Sequence, residues 1–417
     1  MKITVVGTGY VGLACTAFVR KGHEIVCVDI DANKIAMLER GEIPILEPGL
    51  SDLIADGRSS GLLSFTTNLA EALKGADVCF ICVGTPPLPD GSADLRFVET
   101  AMGSVKALKE STTIVVIKST VPVGTCARLG AVSNPEFLRE GRAIEDFLHP
   151  DRIVIGTDDE SAKKKLLELY ASFDCPKLVM SPASSELTKY AANGFLATKI
   201  SFINEIANLC DCVGANVLDV AQAIGLDSRI GPHFLHAGLG YGGSCFPKDT
   251  VALHQIAGSH DHDFRLLEAV ISANKQQRAR FVQKVFKRTS PGDVLAVWGL
   301  AFKAGTDDVR ESAAIEIVHR LMQSGYKVRV FDPMAMEGAK KIVHDRDVFV
   351  SSALMAVNGV DALLVLTEWP EFRDVDFDEV RRSMKQPRIF DGRNLLADLA
   401  LEKRGFEYVG VGLGQRV

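Results

Sequence analysis

The chain has 417 residues, a formal net charge of −6 at pH 7 and 47% hydrophobic residues. That length suits two or three domains with ample cores, and the acidic balance, with no basic block, argues against nucleic acid or an anionic membrane as a partner. The N-terminus reads as a strand rather than a signal peptide, and no uninterrupted apolar run is long enough to span a bilayer. Nine cysteines are scattered without zinc spacing, so no metal is expected and a reducing, cytoplasmic compartment is. Cys79-Phe-Ile-Cys82 has the outline of a metal half-site, but residues three apart in an apolar strand point to opposite faces, which favours two core cysteines. Cys210-Asp-Cys212 lies in a helical stretch and reads as structural too.

Residues 2–7 read as a buried parallel strand, with Ile3, Val5 and Val6 apolar. Gly7-Thr-Gly9-Tyr10-Val11-Gly12 follows at once, Leu13 to Arg20 reads as a helix, and a second strand, Glu24 to Asp29, ends in an acid. Gly7 allows the tight turn, Gly9 lets the backbone approach a pyrophosphate, and Gly12 lets helix and strand pack closely. The helix N-terminus then presents unpaired N–H groups and a positive dipole end to the phosphates. Asp29 is suited to accept from a ribose 2′-hydroxyl, so NAD is expected rather than NADP. Lys34 either reaches the adenosine end or is a solvated helix lysine.

Through about residue 182, strands at Asp77–Val83, Thr113–Lys118, Arg152–Ile155 and Lys177–Met180 alternate with helices, which predicts a doubly wound sheet. Gly84-Thr85 and Thr120 follow two of these strands at their carboxyl ends, where such sheets bind ligands, and their hydroxyls are candidates for cofactor and bound water. A long helical pattern runs from Ser184 to about Leu209, with more helix to about Ile224. A loop rich in Gly, His and Phe and further helices to about Arg288 follow. From Asp293 a second alternating set begins, at Val294–Leu300, Lys327–Phe331, Ala362–Leu366 and Arg388–Phe390. It lacks the glycine triplet and is expected to be a Rossmann-like domain serving another ligand. The predicted fold class is thus α/β, with two Rossmann-like doubly wound domains joined by a long central helix and a helical region. The expected segments are 1–183, 184–288 and 289–417. The apolar faces of the central helix exceed what one lobe covers, which predicts a homodimer.

Gly242-Gly-Ser-Cys245-Phe-Pro-Lys248-Asp249 has the features of a helix start, with Ser244 as cap and Pro247 in the first turn. A cysteine there lies in the positive end of the helix dipole, which favours the thiolate, and Lys248 adds to it. Asp249, four residues on, shares its face. Lys189 and Asn193 are also four apart, above an apolar stripe. They either stabilise a developing oxyanion or form one exposed turn with a solvated lysine. Ser133-Asn-Pro-Glu-Phe-Leu-Arg-Glu140 reads as another helix start, with Asn134 as cap and Pro135 first. On that reading Glu136 and Glu140 share a face, either positioning a water or acting as dipole partners.

These stretches, GTGYVGL, GTPP, KSTVPVGT, NPEFLREG, KYAANGFLATKISFINE, SRIG, GYGGSCFPKD, GLAFKAGTDDVRES and FDGRN, resemble the UDP-glucose/GDP-mannose dehydrogenase family across essentially the whole chain. The resemblance implies a four-electron oxidation of UDP-glucose, or alternatively GDP-mannose or another sugar nucleotide, using two NAD. It implies that Cys245 attacks the C6 aldehyde, that Lys189 and Asn193 stabilise the oxyanions, and that Asp249, Thr120 and Glu136 organise base and water. Phe137, Leu138 and Arg139 look like backbone contacts to the substrate. So do Phe234, Leu235, His236 and Gly238, with Tyr241 and Gly242 before the cysteine. Lys303 and Arg393 resemble sugar-nucleotide ligands, Arg310 and Lys248 resemble cofactor contacts, and Glu140 lies near the cofactor. Arg229 matches an arginine that reaches a partner subunit's substrate site. One departure is the connector Cys126 to Ala131, shorter than is usual in the family. A crossover between parallel strands needs about a dozen residues, so either this one is abbreviated or a stretch is missing.

Overall fold

Short, β-branched apolar runs bounded by glycines favour strands buried on both faces, and such strands pair in parallel beneath helices. The computed structural model describes residues 1–414 and bears out that pattern in two units. The first comprises Met1–Ala192 with Gln255–His260, and the second Asn193–His254 with Asp261–Val417.

The first unit holds eight strands: β1 (Lys2–Val6), β2 (Glu24–Val28), β3 (Leu63–Thr66), β4 (Val78–Ile81), β5 (Ile114–Ile117), β6 (Val132–Ser133), β7 (Ile153–Gly156) and β8 (Lys177–Met180). Their order is β3-β2-β1-β4-β5-β6-β7-β8. The order reverses between β1 and β4, which opens a crevice at their carboxyl ends. The one antiparallel step pairs Ser133 with Gly156. Cys79 and Cys82 belong to cores on opposite faces of this sheet, and burial pushes the Cys79 thiol up to about 12. Phe18 anchors one face, packed on Phe80, Phe147, Tyr170 and Phe173 at centroid distances of 5.7, 4.9, 5.6 and 6.0 Å.

The abbreviated connector closes a complete crossover. β5 and β6 pair in parallel, Val116 with Val132 and Ile117 with Ser133, through a five-residue helix, Thr125–Leu129. A one-turn helix cannot satisfy its own terminal N–H groups. The buried carboxylate of Glu186 accepts them instead, from Gly124 N at 2.6 Å and Cys126 N at 2.7 Å.

The helix Pro182–Val213 is continuous over 32 residues and is followed by Val217–Gly225. Later helices cover Phe246–Ser259 and Arg265–Phe286. The second unit's sheet contains β9 (Val294–Trp298), β10 (Lys327–Phe331), β11 (Ala362–Val365), β12 (Arg388–Asp391) and β13 (Glu407–Val409). All its pairs are parallel, in the order β10-β9-β11-β12-β13. Trp298, fully buried, stacks on Phe372 at 5.1 Å at the centre of this core. Among the described residues no helix is long and apolar enough to cross a membrane, and no cluster of His, Cys, Asp and Glu could hold a metal ion.

Candidate active site

The glycine turn fits a dinucleotide. Gly7 has φ +101°, and a Cβ there would lie 2.8 Å from the Cys82 carbonyl oxygen, at the reversal between β1 and β4. A Cβ on Gly12 would sit 1.8 Å from the Gly7 oxygen, so only glycine lets the helix meet the turn. A Cβ on Gly9 would meet nothing within 4 Å, which leaves room for a ligand against the backbone. The α-helix begins at Tyr10 with Gly9 as its N-cap and no side-chain cap. It tightens to 3₁₀ from Cys15 to Lys21, earlier at its start than the expected Leu13. The Thr16 hydroxyl donates to the Leu13 carbonyl at 2.6 Å, which competes with the regular ladder there.

Asp29 follows β2, half-buried, and accepts from the Thr8 N–H at 2.9 Å, the Thr8 hydroxyl at 2.6 Å and the Asp31 N–H at 3.0 Å. Burial pushes its carboxyl up, but the Thr8 and Asp31 hydrogen bonds and the Lys34 charge outweigh it and hold it below the usual range. It is therefore an anion at neutral pH, suited to a hydroxyl and repellent to a phosphate. Beside it Ile30 is 96% exposed, an apolar side chain in water at the mouth of the crevice that sequence reading passed over. Tyr10 donates its hydroxyl to the Leu46 carbonyl. Gly84 is open, while Thr85 donates its hydroxyl to the Thr120 carbonyl at 2.9 Å and ties the two strand ends together.

The expected helix start at 133–140 is not a helix. Residues 134–139 form neither helix nor strand, and the next helix is Ala143–Leu148. Asn134 does not cap, because its side chain is taken inward. Its amide donates to the Val154 carbonyl, and its oxygen accepts from Lys118 and Tyr170. Glu136 and Glu140 therefore do not share a helical face. Glu136 is buried, paired with Lys189 at 2.9 Å, and accepts the Leu138 N–H at 2.6 Å. Lys189, 3% exposed, is thus neither solvated nor on an exposed turn. Phe137 lies under the Arg152 guanidinium at 3.6 Å. Asp146 engages both the Arg139 guanidinium, at 2.5 Å, and its backbone N–H, at 2.9 Å, and the Arg139 carbonyl accepts from Arg142 N, so the expected backbone contact to substrate competes with bonds already made.

In the second unit Asp249 N donates to the Cys245 carbonyl at 2.9 Å, the first bond of the helix beginning at Phe246. Cys245 itself is therefore the N-cap, and Ser244, expected in that place, stands one residue before it. The Ser244 hydroxyl lies 3.5 Å from the Cys245 sulfur. Asp249, 1% exposed, accepts the Asn193 side-chain amide at 2.6 Å and is paired with Lys248. The two glycines before the cysteine are required by close approach. A Cβ on Gly242 would lie 2.3 Å from the Glu311 oxygen, and one on Gly243, at φ +80°, 2.7 Å from the Phe302 ring.

A cavity of about 270 Å³ opens nearby, lined by Ile200, His233, Phe234, His236, Gly238, Gly240 and Arg393. Arg393 donates to the Leu366 and Phe302 carbonyls, each at 2.9 Å, and pairs with Glu368 at 3.1 Å. Phe302 thus connects Arg393 to the cysteine loop, with Lys303 next in sequence. Leu235 and Tyr241 are buried. Arg229 is exposed and paired with Asp227 two residues away, and Arg310 is paired with Asp308.

Buried polar residues that the sequence did not single out hold this loop. Gly238 donates to Asn204 and accepts from Gln277, each at 2.8 Å. Tyr241 exchanges two bonds with Asn274 and accepts from Arg278 at 3.0 Å. Asn274, Gln277 and Arg278 stand at i, i+3 and i+4, so polar residues on one helix face were the readable signal. The second sheet repeats part of this arrangement. Gly299 and Asp332 follow β9 and β10 as Gly7 and Asp29 follow β1 and β2. Asp332, however, is buried and already accepts from the Leu300, Ala301, Met334 and Ala335 N–H groups and the Trp369 indole.

Residues 1–174, 183–276 and 296–398 match the NAD-binding, central and UDP-binding domains of the UDP-glucose/GDP-mannose dehydrogenase family. A UDP-glucose 6-dehydrogenase from Rhizobium meliloti is 47% identical, with 99% of each chain covered. Among solved structures, a UDP-glucose dehydrogenase from Pyrobaculum islandicum superposes with a TM-score of 0.91 at 41% identity, over 99% of this chain and 97% of that one. A UDP-D-ManNAc dehydrogenase from Pyrococcus horikoshii gives 0.88 at 28% identity over both full chains. A glycine turn with its matched acid, a cysteine capping a helix, and domain matches in the same order along the chain lead to one conclusion: the chain belongs to the UDP-glucose/GDP-mannose dehydrogenase family.

Proposed function

We propose that the protein oxidises C6 of UDP-glucose from alcohol to carboxylate through a covalent intermediate on Cys245. The observation that carries this reading is Cys245 at the N-cap, with Asp249 one turn below it fixed by Asn193. The helix N-terminus favours a thiolate there. Bound NAD supplies the hydride acceptor for each of the two oxidations. Asp249, with Thr120 and Glu136, organises the base and water that take the C6 hydroxyl proton. The Cys245 sulfur then bonds to the aldehyde carbon. Lys189 and Asn193, one turn apart on one helix, donate to the oxygen that gains charge. Loss of a second hydride from that oxyanion leaves a thioester. A water held by Glu136 gives up a proton and adds to its carbon, the C–S bond breaks, and the thiolate is restored as the acid is released. Covalent capture keeps a reactive aldehyde from escaping.

Gly7, Gly9, Tyr10, Val11, Gly12, Asp29 and Lys34 hold NAD in this reading, with Gly84, Thr85, Glu140, Lys248 and Arg310 as further contacts. The loop 234–242, with Lys303 and Arg393, receives the sugar nucleotide, and residues 137–139 contact it through their backbone. The segments 1–183, 184–288 and 289–417 divide this work. Phe195, Phe202, Leu209 and Val213, all more than half exposed, recur at seven, seven and four residues along one helix, a stripe suited to a homodimer. Nine free cysteines suit a reducing, cytoplasmic setting.

The test is NADH formation with NAD and a panel of UDP-glucose, GDP-mannose and UDP-N-acetylhexosamines. Two NADH per UDP-glucose consumed is the expected result. One NADH per sugar refutes the covalent route, and activity confined to another sugar nucleotide moves the substrate to that one.

A further inference from the structure

We infer that Lys118 is a positioning residue for thioester hydrolysis: its buried ammonium keeps Glu136 ionised and its segment in place. The inference rests on the reading of Glu136 as the residue that holds the hydrolytic water.

Lys118 leaves β5 at its carboxyl end and is 5% exposed. Its Nζ donates to the Asn134 amide oxygen at 3.0 Å and lies 5.8 Å from the Phe80 ring centroid. Among the described residues no carboxylate comes within ion-pair distance of it. A buried ammonium facing a neutral amide is costly, and such a group persists where its field serves another charge. Besides the buried Cys15 and Cys82 thiols, which its charge also reaches, the carboxylate it can serve is Glu136, two residues beyond Asn134.

Asn134 is fixed from four sides. Its N–H bonds the Ile117 carbonyl at 3.0 Å, its amide bonds the Val154 carbonyl at 2.7 Å, and its oxygen takes Tyr170 at 2.6 Å beside Lys118. The charged and titratable groups facing Glu136 are Lys189 from the long helix, Lys118 from β5 and the Cys15 thiol from the 3₁₀ stretch. Burial pushes the Glu136 carboxyl up. The charge and hydrogen bond of Lys189, the Leu138 N–H and the Lys118 charge together outweigh that and hold it below its ordinary range. Lys189 has a second task, because in the proposed chemistry its ammonium also serves the substrate oxyanion. When it is shared in that way, Lys118 is the cation that remains for Glu136.

The experiment uses the full-length enzyme, NAD and UDP-glucose with rapid mixing across pH, separating the NADH burst from the slower steady state set by hydrolysis. Lys118→Met and Lys118→Gln remove the charge, and Gln can still donate to Asn134, so the network survives in at least one neutral variant. Both should keep the burst, move the acid limb of the steady state to higher pH, and slow hydrolysis about fivefold on the acid side. Lys118→Arg should restore the limb. Tyr170→Phe, which loses a bond to Asn134 but no charge, should leave it in place. An unmoved limb in the neutral variants, or an equal displacement in Tyr170→Phe, overturns the inference while leaving the proposed function standing. A parent enzyme with no burst overturns both.

Discussion

Alanine at Gly9 and at Gly12 separates the two tasks of the glycine turn. At Gly9 the backbone has φ −82° and an added Cβ meets nothing within 4 Å, so Gly9→Ala should fold and melt like the parent. The methyl would occupy the space the phosphates need and hold them off the N–H groups of the helix start. Losing two charge-assisted hydrogen bonds at ~1.5 kcal/mol each weakens NAD by ~3 kcal/mol, or about 150-fold in Kd. At Gly12 the Cβ falls 1.8 Å from the Gly7 oxygen, against the 3.0 Å below which such contacts essentially never occur, so helix and turn must part by about 1.2 Å. Overpacking of that kind costs ~1–3 kcal/mol or more, and the ~1 kcal/mol gained by alanine over glycine in a helix does not offset it. Gly12→Ala should therefore lose both affinity and several degrees of Tm. Titration calorimetry with NAD and a thermal melt, run on both variants, read the two effects. A Gly9→Ala protein binding NAD like the parent would refute the placement of the phosphates. A Gly12→Ala protein unchanged in both would refute the packing argument.

Three further expectations follow from the same geometry. Because the Asp29 carboxyl is held below its usual range, its repulsion of a 2′-phosphate is present at neutral pH and fades only as pH falls through that lowered value. Asp29→Ala should cut the NAD-over-NADP preference about tenfold, ~1.4 kcal/mol, as read from kcat/KM with each cofactor, and an unchanged ratio contradicts the role. Cys245→Ser should bind NAD with parental affinity but lose steady-state UDP-glucuronate formation by at least ~10³-fold, and full turnover would exclude the thioester. Phe202→Glu, in the middle of the exposed stripe, should convert dimers to monomers in sedimentation velocity, whereas a parent that is itself monomeric at micromolar concentration would remove the stripe's proposed purpose.

Local signals carried much of the fold. Residues 327–331 and 177–180 are strands with the boundaries their composition implies, and Gly7, Gly9 and Gly12 stand as their spacing requires. β3 escaped because Leu63–Thr66 is short and half polar, and β13 because Glu407–Val409 is only three residues long. The misread segments have a common cause. Asn134 followed by proline is a good local helix start, yet its side chain is satisfied by Lys118, Tyr170 and Val154, which are distant in sequence. Likewise Glu186 caps the short helix after Thr120 from some 60 residues away, so the connector looked too short to close. In the candidate site the reacting residue types and their i, i+4 spacings were readable. The clamps Asn274, Gln277 and Arg278 showed only as polar residues sharing a helix face, and Asn204 not at all, because burial turns ordinary polar residues into specific ones only after helices pack.

The covalent route is tested most directly by trapping it. Glu136→Gln leaves the Cys245 region untouched in sequence but removes the carboxylate assigned to the hydrolytic water, so acylated enzyme should accumulate. The variant is mixed with NAD and UDP-glucose, quenched in acid, and its intact mass and peptides are measured. The account predicts two NADH per site in a single burst and a UDP-glucuronyl mass on the Cys245 peptide, absent in Cys245→Ser. A burst of two NADH with product free in solution and Cys245 unmodified would contradict it.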